Sequence, residues 1–142
     1  MLLVSLNGCF LHSTYGPGYR VSLEVENLLP AKVEDMKSVE LLLLKEGFTK
    51  KNNTSSDHLD CTHYFMPGQE SAGQNSTGIL CSICIHRKTN KSKHVVSVVV
   101  HNNYEGQKPA LRQDIDRVSN LIFEALETQF GKGNVVIERH RT

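Results

Sequence analysis

The residues best equipped for chemistry are thiols and imidazoles. Cys61 has His58 and His63 close on either side, and Cys81 and Cys84 follow as a C-x-x-C. Thiolate and imidazole are zinc's preferred ligands, so His58, Cys61, His63 and Cys84 invite a metal reading. Their placement argues against it. The run Ile79-Leu-Cys-Ser-Ile-Cys-Ile reads as a strand, on which residues three apart point to opposite faces, so one ion or one disulfide cannot easily use both Cys81 and Cys84. Closed zinc sites draw paired ligands from a knuckle or turn, whereas these donors are spread along strands. A redox C-x-x-C sits at a helix N-terminus, which lowers the thiol pKa, and this one does not. Cys81, in step with Ile79, Ile83 and Ile85, belongs to the core. No metal ligand set and no cofactor are expected.

A disulfide is the remaining sulfur chemistry. Cys61 can bridge to either later cysteine, because the loop that separates its strand from theirs, residues 67–78, is too long to fix the register. Pairing Met66 with Ile79 sets Cys61 opposite Cys84, and a shifted register sets it opposite Cys81. Either bond suits an oxidising compartment.

The second concentration of reactive groups is the turn from His86 to His94, where Arg87, Lys88, Lys91 and Lys93 lie between the two histidines. Such a tip suits contact with an anionic group or an acidic partner, and lysines also blunt hairpins against aggregation. The outward positions of the central strands, Ser82, Cys84, His86, Ser97 and His101, together with Glu24 and Glu26, make a polar sheet face. A histidine and a carboxylate there are the ingredients of acid–base catalysis, but no nucleophile, oxyanion donor or orienting group accompanies them. The chain is therefore not read as an enzyme. Binding of nucleic acid is disfavoured, because an RNA-binding sheet stacks bases on exposed aromatics and the central strands offer none. Gly131-Lys132-Gly133-Asn134 follows a helix, where a phosphate loop would precede one.

The elements that must position these groups are legible from periodicity. Tyr19 to Glu26 alternates Tyr19, Val21, Leu23 and Val25 against Arg20, Ser22, Glu24 and Glu26, the period of a half-buried strand. Pro30 opens a helix to about Glu46, with Val33, Met36, Val39 and Leu43 on its stripe, Leu41, Leu42 and Leu44 widening it, and Gly47 ending it. A short strand starts at Phe48, and Asn52 to Asp57 is polar enough to be a loop. Strands follow at about Leu59 to Met66, Ile79 to Lys88 and His94 to Asn103. A second helix runs from Pro109 to Gly131, and Asn134 to Arg139 forms the last strand. The expected class is α+β, two helices on one face of an antiparallel sheet. The order resembles a ferredoxin-like split β-α-β with an added hairpin, an architecture that argues little about activity.

A chain of 142 residues suits one domain, placed here at 19–142 behind a tail at 1–18. The 16 basic and 15 acidic residues nearly balance, so any electrostatic preference must be local. No apolar run approaches the roughly 18 residues of a membrane span.

The tail, Met1 to Cys9, reads M-L-L-V-S-L-N-G-C. An apolar stretch, a small residue and a cysteine resemble the lipobox of bacterial lipoproteins, with Leu6 and Gly8 on pattern and Asn7 off it. The stretch lacks a basic n-region and is shorter than a signal peptide's apolar core, which a start codon upstream of Met1 would explain. The resemblance implies cleavage before Cys9, palmitate-type acylation of that cysteine, a membrane anchor and, with Phe10 rather than Asp next, the outer membrane facing the periplasm. The resulting expectation is a non-enzymatic envelope lipoprotein that binds a partner protein or an anionic envelope component through the open face and the basic hairpin. The alternative is an unanchored, cytoplasmic module of the same fold binding a small ligand or anion.

Overall fold

The computed structural model describes residues 19–28, 36–67, 78–87, 94–102 and 112–140. The elements are β1 (Arg20–Leu28), α1 (Lys37–Lys45), β2 (Thr49–Ser55), β3 (Leu59–Pro67), β4 (Gly78–Arg87), β5 (His94–Asn102), α2 (Arg112–Phe130) and β6 (Val135–His140). They form a six-stranded sheet in the order β2-β3-β4-β5-β1-β6, with every neighbouring pair antiparallel. Two helix-linked strand pairs interleave. β1 and β2, linked through α1, have β5, β4 and β3 between them, and β5 and β6, linked through α2, have β1 between them. This is the expected ferredoxin-like α+β arrangement with an extra hairpin. The tail with its Cys9 lies outside the described residues, as do Pro30 and Pro109, from which the two helices are expected to run.

Both helices pack on one face of the sheet. The inward set is Val21, Leu23 and Val25 of β1, Val96, Val98 and Val100 of β5, and Cys81 and Ile83 of β4, closed over by Val39 and Leu43 of α1 and Ile115, Val118, Ile122 and Leu126 of α2. β-Branched residues dominate the strands because their restricted χ1 suits a pleated surface. The helices run antiparallel. Ser38 donates to Gln129 at one end (2.7 Å) and Arg117 to Glu46 at the other (2.7 Å). Gly47 and Gly131 end them at φ 104° and 101°, where a side chain is strained. At Gly131 a Cβ would also sit 2.8 Å from the Asn134 amide, which itself caps the Phe130 carbonyl.

Two expectations are corrected. Asn52 to Ser55 is strand rather than loop, since β2 runs through Ser55 and pairs with β3 as far as Asp60. Polar composition misleads here because β2 is an edge strand with every residue exposed; its ladder to β3 replaces the hydrophobic pattern, and its polarity discourages further pairing. Leu41 and Leu44 do not widen the buried stripe. They are 56% and 47% exposed, because only the Val39–Leu43 line of α1 meets the sheet.

Candidate functional site

Neither described helix covers the second face of the sheet. Its residues alternate with the core positions and fall into rows across the strands, each row following the register.

The central rows are held by side-chain bonds between strands. Met66 pairs with Ile79, so Cys61 stands opposite Cys84, and these two form a disulfide with a Cα–Cα distance of 4.1 Å. Of the two registers open from sequence, the structure has the one that joins Cys61 to Cys84. Cys81 points the other way, fully buried, and burial pushes its thiol pKa well up. With both sulfurs bonded to each other, Cys61 and Cys84 cannot serve as thiolate ligands, and no metal-binding group occurs among the described residues. His58, exposed, gives its carbonyl to the Arg87 amide (2.8 Å).

Beside the disulfide, His63 lies between two hydroxyls, Nδ1 at 2.7 Å from Ser82 Oγ and Nε2 at 3.1 Å from Thr54 Oγ1. His86 reaches Ser97 Oγ at 3.3 Å. His101 donates Nδ1–H to the Asn102 carbonyl at 3.0 Å, because a carbonyl can only accept. Burial holds its pKa below the usual imidazole value; the Asn102 bond opposes this, while Arg20 and His63 reinforce it. These imidazoles hydrogen-bond to hydroxyls and a carbonyl. Such bonds orient rings and staple strands.

The sign of the His101 shift makes a prediction. With a folded pKa below the unfolded value of about 6.5, the unfolded chain binds more protons between the two, so stability is complete above that value and falls as pH drops toward the folded pKa. Urea midpoints of wild type and His101→Gln measured between pH 8 and pH 5 should show a shallower fall in the variant. Parallel curves would refute the assignment.

Ser82, Ser97, His101 and Glu24 lie on this face as expected, with Glu26 exposed where the β1–β5 register becomes irregular. The face is not purely polar. Phe65 on β3 and Leu80 on β4, paired and half-buried, lie on it, as does Val99. The central strands β4 and β5 place no aromatic on this face, but β3 does. Phe65 is inconspicuous in the sequence because the neighbouring Tyr64 takes the buried position in the alternation. Lys51 sits 5.3 Å from the Phe65 ring centroid.

The basic hairpin separates. Lys88, Lys91 and Lys93 lie outside the described residues. His86 is on the open face, whereas Arg87 is on the helix side and pairs with Asp60, which also accepts from Ser55. Arg87 and Ser55 together hold the Asp60 carboxyl down to about 2, so Arg87 is already matched to an anion within the fold. His94 opens β5. On the helix side a cleft of about 290 Å³ opens beside α1, over Ile83 and Ile85. Within its polar lining Tyr64 donates to Glu40 at 2.6 Å and Asp60 is held by Arg87, with Lys37 and Thr62 beside them.

Comparison with known proteins finds no matching family model and no matching curated protein.

Proposed function

We propose that the chain is a non-enzymatic domain of the bacterial cell envelope, anchored by lipid at Cys9 and facing the periplasm, that binds a partner protein or envelope component through its open sheet face. The observation that carries this is a sheet face left free by both described helices and stapled across β3 and β4 by Cys61–Cys84. A disulfide of this kind persists in oxidising compartments and is rare in the reducing cytosol. That agrees with the lipobox-like residues ending at Cys9. The face itself carries half-buried Phe65, Leu80 and Val99 together with Arg20, and aromatic and arginine side chains are the ones enriched at interfaces.

Labelling with an alkyne palmitate analogue, followed by fractionation, tests the anchor. Wild type expressed from its own gene locus should label and stay with membranes. Cys9→Ala should lose the label and leave the membrane fraction. Label retained in Cys9→Ala, or wild type in the cytosol, would overturn the proposal.

A further inference from the structure

One row of the open face differs from the others. In register across all six strands stand Thr49, Phe65, Leu80, His101, Arg20 and His140, one from each of β2, β3, β4, β5, β1 and β6. Its β5, β1 and β6 half sets a guanidinium between two imidazoles and its β3 and β4 half is apolar, with Lys51 over Phe65 extending positive charge to the β2 side. The carboxylates of this face, Glu24, Glu26 and Glu138, fall outside the row. Glu138 pairs with Ser22 and Glu24 with Ser97.

Arg20 sets the row apart. Arg87, Arg117 and Arg139 pair with Asp60, Glu46 and Asp116, and Arg112 lies over the Tyr19 ring at 4.7 Å. Arg20 alone among the described arginines has no partner among the described residues, and it is exposed at the middle of the basic half. A guanidinium is a rigid fork suited to bidentate capture of a carboxylate. His101, its ring fixed through Asn102, and His140 flank it on the adjacent strands.

We propose that this row is the recognition strip of the open face and takes an acidic, apolar-bearing segment of a partner protein, with a carboxylate on Arg20 and an apolar side chain on Phe65 and Leu80. The inference rests on the reading of the open face as the binding surface. Adjacent strands are about 4.8 Å apart, so the row is roughly 24 Å long, which an extended segment of about seven residues spans.

The probe is a dye-labelled peptide, Leu-Ser-Phe-Ser-Glu-Ser-Glu, whose alternate residues turn apolar side chains toward Phe65 and Leu80 and carboxylates toward Arg20 from one face, titrated against the full chain by fluorescence anisotropy, beside its counterpart with Gln for each Glu. The acidic peptide should bind at least about tenfold more tightly than the neutral one. Arg20→Gln should cost it about tenfold, the equivalent of one charge-assisted contact. Lys132→Gln, an equal loss of charge in the turn after α2, should leave it unchanged, and circular dichroism should show each variant folded. Equal affinity for the two peptides, an equal effect of the two substitutions, or tighter binding to phosphatidylglycerol vesicles or single-stranded DNA would overturn the strip. A natural partner that cross-links to the open face but ignores Arg20→Gln would overturn the strip while leaving the face as the binding surface. Absence of any open-face adduct would overturn both.

Discussion

Replacing Cys61 and Cys84 together by alanine is expected to lower the stability of the domain by about 3 kcal/mol, the chain-entropy value for a loop of this size. The bond joins residues 23 apart in sequence across the β3–β4 hairpin, so in the unfolded chain it closes a loop that the variant leaves open. Denaturant unfolding of the variant should give a lower midpoint, and wild type unfolded in reductant should behave like it. Intact-mass alkylation adds a check. In denaturant without reductant, among these three cysteines only Cys81 should react, and in the native protein its burial should protect it. A loss below about 1 kcal/mol would mean that the bond contributes little to holding β3 on β4 and that its role lies elsewhere.

The largest single-residue effect is expected at Leu23. It is fully buried in β1, with Val98 of β5 on one side and Ile137 of β6 on the other, beneath the helices. Truncation to alanine removes a buried side chain and leaves a cavity that the paired strands cannot readily close, at a cost of about 2–5 kcal/mol. Against a total of about 5–15 kcal/mol for a domain, that is enough to shift the unfolding midpoint strongly. Leu41→Ala, on the exposed side of α1, should change stability by less than about 0.5 kcal/mol. Comparable losses at the two positions would contradict the orientation of α1 described here.

The fold was legible because β1 and α2 bury one side only, and a one-sided element writes its period into the sequence. Val21, Leu23 and Val25 alternate with charged or polar residues, and Ile115, Val118, Ile122 and Leu126 follow helical spacing. β2 was legible only at its start, because the edge strand past Lys50 buries no side chain and draws its order from the β3 ladder. The four consecutive leucines of α1 gave no direction, since hydrophobicity all round leaves the buried face to tertiary packing.

Alternation alone marks Ser82, Ser97, His101 and Glu24 as outward, yet it does not show the apolar part of the face. Phe65 and Leu80 are ordinary members of hydrophobic strands until the register shows that they project away from the helices. The row that includes Arg20, His101 and His140 brings together residues far apart in sequence and exists only through strand order. The disulfide partner of Cys61 likewise depended on a register that the long loop after Pro67 left open.

The central claim, that the open sheet face is where this domain meets its partner, is tested most directly by photo-cross-linking in cells. A benzophenone amino acid would replace Glu24, exposed on the open face, or Leu41, exposed on the outer side of α1. Discrete, reproducible adducts from position 24 and none from position 41 are predicted. Adducts from position 41 with none from position 24 would contradict it.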